Sequence, residues 1–319
     1  MASPIEFGLL LHTRHLIRDG KAADFTSVWQ QAKRAERSGY DHIWLGDSVT
    51  VLQRARGDCL TLMSALAMAT ETIRIGTVPL LMSLRHPVSL AHALATIDVI
   101  SNGRLILGPS AGPVAPYIAQ QFEACGVPAK EKAGRLGETI EIVRALWEQD
   151  RITHAGKYFK LDNVGILPKP LQKPLPILLA TGGAPPEATF RRAARLGDGA
   201  ITTAETPDIF AGWNAKLDAL AKDYGRALGP KLLFASFRIG ADGARTREEG
   251  WTWMEQFFRR SRADLQGTFT PVFGTAEECA SLLRQYAAAG MTGVIARIAH
   301  DDDEGQADLL VKLLKPALQ

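Results

Sequence analysis

Polar side chains that could do chemistry come directly after short apolar runs of the chain. His12 follows the first run, Asp47 the second and Ser110 the fourth. An imidazole can carry a proton and a carboxylate can accept a hydrogen bond from a ring N–H, so we predict a catalytic His12 and a binding Asp47. Each residue type also has a simpler structural interpretation. A histidine can be a loop residue with a satisfied hydrogen bond, which we prefer for His15. Asp47 can instead be the N-cap of a helix.

Metal-dependent hydrolysis finds little support in this pattern. His12 and His15 are separated by two residues, so on a strand they would face opposite sides, and no acidic partner of fixed spacing accompanies them. We therefore predict no metal site, although a metal-dependent barrel hydrolase stays an alternative.

Three segments at the ends of apolar runs are rich in glycine: Gly108–Pro113, Thr181–Ala184 and Gly197–Gly199. Glycine lets backbone N–H groups approach a flat ring or a phosphate without a Cβ in the way. These segments are therefore candidate binding loops, although each one alone would be weak support.

The elements that must position these residues follow from the hydrophobic pattern. Short apolar runs alternate with amphipathic stretches of helical length, which is typical of a parallel sheet wrapped by helices. Gly39 is predicted to end the first helix. The eight predicted strands are Ile5–Leu11, His42–Gly46, Ile73–Val78, Arg104–Leu107, Pro176–Ala180, Asp198–Thr203, Leu232–Ile239 and Gly293–Ile298.

Eight such repeats predict an α/β fold of the (β/α)8 TIM barrel type, with insertion segments after several strands. A doubly wound sheet would show the same alternation, but the turn Leu11–His15 has no glycine fingerprint. Residues 1–319 are interpreted as a single barrel domain with insertions at about 109–134, 150–174 and 242–271. The aromatic residues Trp251 to Phe258 in the last insertion suggest packing more than substrate contact, with a hydrophobic lid as the alternative.

Composition narrows the class of protein. The 319 residues carry a formal net charge of only +3, with basic and acidic side chains interspersed, so neither a nucleic-acid nor a membrane surface is indicated. The three cysteines show no paired spacing, and no apolar run approaches the roughly 18 residues of a membrane span. A cytoplasmic protein, neither exported nor anchored, is the expectation.

Taken together, the motifs resemble the luciferase-like monooxygenase family, which includes flavin-dependent monooxygenases and F420-dependent oxidoreductases. The matching segments are Ser38–Asp47, Ile75–Thr77, His86–Val88, Ala95–Arg104, Arg135 with Glu138, Leu146–Trp147 and Arg192–Gly199. Their order and spacing carry the resemblance, with a weaker echo at Ala287–Gly293. It implies a barrel that binds FMN or F420 at the carboxyl ends of its strands, and it raises a homodimer as a candidate state.

The resemblance also implies which residues contact the cofactor. By position these are Asp47, Thr77, Val78, Pro79, Ser110, Gly112, Gly182, Gly183, Thr202 and Thr203. Relatives often carry a cis peptide in the third-strand bulge, and Val78–Pro79 is the candidate here because proline lowers the cost of a cis bond.

Two departures from the family pattern bear on the reaction. Sugar-phosphate dehydrogenases that use F420 resemble this chain, but with a histidine where Ser48 stands and a glutamate near Pro113, so that substrate is not expected. The loop Ser110–Pro113 also lacks the valine- and glycine-rich pattern frequent in F420 users, which favours FMN.

The predicted function is therefore a two-component monooxygenase. It would use reduced FMN from a separate flavin reductase, together with O2, on a small organic substrate. Two alternatives stay open: F420-dependent hydride transfer, and a barrel that binds flavin without turnover.

Overall fold

The computed structural model describes residues 4–13, 17–18, 21–22, 25–49 and 56–318. The strands are β1 (Glu6–Leu10), β2 (Ile17–Arg18), β3 (Lys21–Ala22), β4 (His42–Leu45), β5 (Arg74–Leu80), β6 (Leu105–Pro109), β7 (Ile152–Ala155), β8 (Lys160–Val164), β9 (Leu178–Gly182), β10 (Gly199–Thr202), β11 (Lys231–Ile239), β12 (Thr270–Gly274) and β13 (Gly293–Ile298). The helices are α1 (Thr26–Ser38), α2 (Cys59–Ala69), α3 (Pro87–Ile100), α4 (Pro116–Ala124), α5 (Lys132–Glu148), α6 (Glu187–Leu196), α7 (Pro207–Asp223), α8 (Gly243–Phe258), α9 (Arg262–Leu265), α10 (Ala276–Ala288) and α11 (Asp303–Leu314). Short 3-10 helices lie at Met82–Leu84, Ala129–Glu131 and Pro316–Leu318.

A parallel sheet carries the fold. Its strand order is β6-β5-β4-β1-β13-β11-β10-β9, with β12 added beside β11. The two end strands also meet, because Leu107 in β6 forms a parallel bridge with Ile177, directly before β9. The predicted (β/α)8 barrel is therefore confirmed.

Local details of the sequence interpretation are confirmed as well. Helix α1 ends at Ser38, and Gly39 follows with a φ of 88°, a backbone conformation that favours glycine. The ladder between β5 and β6 shifts register between Thr77 and Leu80, which is the predicted bulge, and the Val78–Pro79 peptide bond is cis.

Three strands lie where the sequence pattern predicts only insertions. The hairpin β7–β8 occupies the segment 150–174, and β12 begins at the end of the segment 242–271. Pro271 makes β12 resemble a loop in sequence. A proline is tolerated there because β12 is an edge strand that pairs only with β11 among the described residues.

The chain divides into two compact units. Unit 1 consists of Met1–Leu11, Gln31–Trp44 and Ala180–Gln319, and unit 2 of His12–Gln30 and Leu45–Leu179. Across the described ranges of both units, no helix is long and apolar enough to cross a membrane.

In unit 1, a histidine and a tryptophan fill the space beside β1. Trp44 Nε1 donates to His42 Nδ1 at 2.6 Å, and the two rings meet edge to face with centroids 5.4 Å apart. Gly8 pairs with His42 in the parallel ladder, and a Cβ at Gly8 would lie 1.9 Å from His42 Nδ1. The glycine is therefore required for the buried pair of rings to fit.

In unit 2, a buried carboxylate fixes the hairpin β7–β8 to α5. Glu138 accepts hydrogen bonds from Tyr158 N at 3.1 Å and Phe159 N at 2.8 Å, and it contacts His154 Nε2 at 3.1 Å. Burial alone would raise the pKa of Glu138, but the hydrogen bonds from Phe159, Tyr158 and His154 outweigh it and lower the pKa. The charged form of Glu138 thus stabilises the hairpin, and this contribution is lost as the pH falls through the lowered pKa.

We predict that Gly8→Ala destabilises the protein by about 2 kcal/mol or more, because the added methyl group overlaps the His42 ring and forces the strand or the ring to move. Urea unfolding measures the change. Gly212→Ala is the matched control: it lies inside α7 with open space where its added methyl group would stand, and should stabilise the helix by about 0.5–1 kcal/mol. Equal unfolding free energies for the two variants would contradict the close packing at Gly8.

Candidate functional site

The predicted catalytic residue His12 lies two residues after the end of β1 and is half-buried. Its neighbour Thr13 is 2% exposed, and within the described part of the chain its hydroxyl has no hydrogen-bond partner. Sequence reasoning missed Thr13, although its place after a strand end was a usable signal. His15 lies outside the described residues.

In unit 2, backbone hydrogen bonds bring the ends of β4, β5 and β6 together. Asp47 N donates to Pro79 O at 3.2 Å, and Ser110 N donates to Leu80 O at 3.1 Å. The predicted contacts Asp47, Pro79 and Ser110 therefore lie at or just beyond the ends of neighbouring strands.

Thr77 and Val78 precede the cis bond in β5, and both are buried. The Thr77 side chain is fully buried, and its hydroxyl has no hydrogen-bond partner among residues that the structure describes. An unsatisfied buried hydroxyl costs about 1–3 kcal/mol, so this position suits a group that can pair with it.

An arginine that sequence reasoning missed neutralises Asp47. Arg85 donates from Nη1 to Asp47 Oδ2 at 2.6 Å and from Nη2 to Asp47 Oδ1 at 3.0 Å. Leu81 N also donates to Asp47 Oδ2 at 3.0 Å, and the carboxylate is only 1% exposed. Both carboxylate oxygens of Asp47 thus accept hydrogen bonds from within the protein.

Arg85 also contacts the start of a helix, and its pairing with Asp47 is accompanied by raised pKa values of Arg85 and of a neighbouring cysteine. Arg85 Nη2 also donates to Asp58 Oδ2 at 3.2 Å, at the N-cap of α2. Burial disfavours the charged guanidinium, but the hydrogen bonds and the charge of Asp47 outweigh it and raise the pKa of Arg85. Burial, reinforced by the Asp47 charge, raises the pKa of the neighbouring Cys59 thiol, which keeps it protonated.

A lysine from α5 shapes the loop after β6. Lys132 Nζ donates to Gly112 O at 3.0 Å and to Pro113 O at 2.7 Å, and Gly112 N donates to Ser110 Oγ at 3.1 Å. Gly112 has a φ of 74°, so only glycine adopts this turn without strain. Burial lowers the pKa of Lys132.

The β4 end is held by a buried glutamine from α4. Gln121 Oε1 accepts a hydrogen bond from Val49 N at 2.8 Å, and its side-chain amide nitrogen has no partner within the described ranges. Gln121 is fully buried, so it fixes the backbone next to Ser48 from inside the unit.

In unit 1, the predicted residues lie at the ends of β9 and β10. Thr202 is buried, with its hydroxyl 3.3 Å from that of Thr181, and Thr203 follows it with a buried hydroxyl that has no partner in the described part of the chain. Gly182 has a φ of 75° and open space around it. A Cβ at Gly183 would meet the backbone oxygen of Thr268 at 2.6 Å, so Gly183 serves a close approach within the protein.

In unit 2, the chemistry of the strand ends fits a flat ring with polar edges. The buried Thr77 hydroxyl and the N–H groups of the loop after β6 can pair with ring carbonyl and N–H groups, and the Asp47 carboxylate is already neutralised by Arg85. Among the described residues, no group of three or more histidine, cysteine or acidic side chains could hold a metal ion.

We predict that Arg85→Met destabilises the protein by about 3–5 kcal/mol, because it leaves Asp47 charged and buried without its cation. Adding Asp47→Asn to that variant should recover part of the loss, since the buried charge is then gone. Urea unfolding measures both. Arg245→Met, which removes an exposed ion pair with Glu249, is the control and should leave the midpoint nearly unchanged. Equal midpoints for Arg85→Met and Arg245→Met would contradict the role given to Arg85.

Comparison with known proteins gives the family. The model of the luciferase-like monooxygenase family matches residues 5–293. An F420-dependent glucose-6-phosphate dehydrogenase of Amycolatopsis mediterranei is 35% identical over 178 residues, 54% of this chain and 52% of the relative. The chain thus matches about half the length of this curated relative.

Solved structures share the fold. A monooxygenase, RslO1, from Streptomyces bottropensis superimposes with a TM-score of 0.80 at 21% identity, covering 98% of both chains. An F420-dependent secondary alcohol dehydrogenase, in complex with an F420-acetone adduct, gives a TM-score of 0.81 at 18% identity, covering 99% of this chain and 100% of that one. With a family model that matches nearly its whole length, the chain belongs to the luciferase-like monooxygenase family.

Proposed function

We propose that this protein is an F420-dependent oxidoreductase that transfers a hydride between the deazaflavin and a small organic substrate. The observation that carries the proposal is the 35% identity to an F420-dependent dehydrogenase. This reverses the preference for FMN drawn from the loop Ser110–Pro113. The loop pattern is the weaker argument, because Lys132 from another element holds two carbonyls of that loop.

The residues proposed to hold the cofactor are those at the strand ends. In unit 2 these are Thr77 and the loop Ser110–Gly112, and in unit 1 Gly182, Thr202 and Thr203. Bound F420 supplies a carbon centre that accepts or donates a hydride. The Asp47 side chain is held by Arg85, and His12 is the group proposed to take or give the accompanying proton.

The substrate proposed here is not a sugar phosphate. The dehydrogenases of that class resemble this chain with a histidine at the position of Ser48 and a glutamate near Pro113, and both are absent here. Without that acid–base pair, proton transfer has to rest on another group.

Two-component FMN monooxygenase activity is the second candidate, supported by the departure of Ser110–Pro113 from the loop frequent in F420 users. It would require a separate flavin reductase, because the chain has no nicotinamide fingerprint. A third possibility is a barrel that binds flavin without turnover. It would differ from both enzymes because it would show no substrate-linked oxidation rate. The cytoplasm is the proposed location for all three, because the three cysteines show no paired spacing.

The cofactor is tested by anaerobic titration of the purified protein with F420 and, in parallel, with reduced FMN, followed by fluorescence and absorbance. We expect F420 to bind, and Thr77→Val to weaken it about 3- to 10-fold, since one hydrogen bond to the buried hydroxyl is lost. Thr139→Val is the matched control: it removes another buried hydroxyl without a described partner, inside α5, and should leave the affinity unchanged. Tight binding of reduced FMN alone would favour the monooxygenase, and binding of neither would overturn the proposal.

We also propose a homodimer, because two helices of unit 2 present apolar side chains outward. Met68 on α2 is 77% exposed, and Val99 and Ile100 at the end of α3 are 39% and 38% exposed. Neither helix carries an exposed charged residue, whereas helices that face water normally do. A second copy of the chain would bury these residues.

Size-exclusion chromatography with light scattering tests the dimer. Met68→Glu combined with Ile100→Glu should shift the protein toward the monomer mass, because a charge would be buried at the interface. Val114→Glu, at a loop residue that is 99% exposed, is the control and should keep the dimer. A wild-type protein of monomer mass at micromolar concentration would contradict this proposal.

A further inference from the structure

A half-buried glutamate follows the carboxyl end of β10 in unit 1. Glu205 stands three residues after β10 and directly before Thr206. The Thr206 side chain caps α7 by accepting a hydrogen bond from Ile209 N at 3.3 Å. The cap of this helix is therefore complete without Glu205.

The Glu205 carboxylate has neither an ion pair nor a hydrogen bond with the residues that the structure describes. Other carboxylates of unit 1 are paired: Glu187 contacts Lys216, and Glu249 contacts Arg238. A carboxylate that is partly removed from water is disfavoured unless a partner compensates for the lost hydration. Glu205 therefore suits a ligand that brings a positive charge.

The backbone before Glu205 is fixed by its neighbours. The Ala204 carbonyl accepts hydrogen bonds from Thr270 Oγ1 at 2.7 Å and from the Tyr286 hydroxyl at 2.8 Å. Burial, reinforced by the charge of Glu205, raises the pKa of Tyr286, which keeps the hydroxyl protonated as a donor. Glu205 is thus positioned through the main chain, and its carboxylate takes no part in this.

Glycines keep the space beside the Glu205 carboxylate free of side chains. Gly267 has a φ of 71°, and a Cβ there would have Glu205 Oε2, at 3.9 Å, as its only neighbour within 4 Å beyond the adjacent residues. A Cβ at Gly183 would meet Thr268 O at 2.6 Å, so the loop after β9 lies against the same turn. The carboxylate therefore lies beside bare backbone.

The turn at Gly267 is supported by an apolar cluster. Thr268 N donates to Leu265 O at 3.1 Å, and Leu265 at the end of α9 packs with Met254, Phe258 and Phe273. This cluster confirms the packing role predicted for the aromatic residues of α8. It also holds the turn in place next to Glu205.

A second polar group on this segment lacks a partner. Thr203, two residues before Glu205, is 9% exposed, and its hydroxyl has no hydrogen bond within the described ranges. An unsatisfied buried hydroxyl costs about 1–3 kcal/mol. Two separate groups after β10 therefore indicate that a ligand lies at this strand end.

We propose that Glu205 binds a protonated amine on the organic substrate. This inference rests on the proposed function for the presence of a substrate site at the strand ends. An ammonium group brings a positive charge and three N–H donors, which a carboxylate can accept. An anionic group of the cofactor would be repelled instead. Glu205 is thus a specificity-determining residue, and the substrate class is an organic amine.

Amines and the corresponding alcohols test this proposal. Benzylamine is compared with benzyl alcohol, and butylamine with butanol, by calorimetric titration of the full chain at neutral pH, with and without saturating F420. We expect the wild-type protein to bind the amines about tenfold or more tightly than the alcohols, as a hydrogen bond to a charged group provides. In Glu205→Gln the amines should lose this advantage while the alcohols change little.

Asp208→Asn is the matched control. It removes an exposed carboxylate from the first turn of α7, close in sequence to Glu205. The preference for amines should survive in this variant, because a general loss of negative charge near the helix start does not remove the contact. Loss of the preference in Asp208→Asn as well as in Glu205→Gln would contradict a specific role for Glu205.

The remaining outcomes also decide the proposal. Equal binding of amine and alcohol by the wild-type protein in both pairs would overturn it, and that comparison needs no variant to fold. Weaker F420 binding by Glu205→Gln with unchanged amine binding would also overturn it, because the carboxylate would then contact the cofactor. If F420 fails to bind at all, the proposed function fails, and the titrations without F420 still decide the role of Glu205.

Discussion

The buried ion pair of Asp47 and Arg85 is the interaction on which unit 2 depends. It joins the end of β4 to the backbone after β5, because Asp47 accepts from both Arg85 and Leu81 N. The same arginine reaches Asp58 at the start of α2. One guanidinium therefore fixes a strand end, a bulge and a helix start, and it does so with a charge that could not be buried without its partner.

Much of the fold was readable from the sequence because its signals are local. The strand just before Asp47, the glycine after α1 and the cis bond before Pro79 each depend on residues next to one another. The contacts between Arg85 and Asp47 could not be predicted, because 38 residues separate the two and no spacing rule links them. The hairpin β7–β8 was missed for a related reason: its strands are mostly exposed and are held by Glu138 from α5.

The same distinction explains the weakness of the cofactor argument from the loop Ser110–Pro113. A loop sequence predicts a binding mode only where the loop sets its own shape. Here Gly112 supplies a turn that needs a positive φ, but Lys132 from α5 fixes the carbonyls of Gly112 and Pro113. Overall similarity to relatives averages over many such contacts and is therefore the better guide to the cofactor.

The anchoring of β7–β8 has a practical consequence for protein engineering. A hairpin tip is ordinarily the place for an inserted epitope or a coupled fluorophore, since it tolerates extra residues. In this hairpin the tip is the attachment point: Tyr158 and Phe159 donate to Glu138, and a Cβ at Gly156 would lie 2.1 Å from a Glu138 oxygen. An insertion there would detach the hairpin from α5.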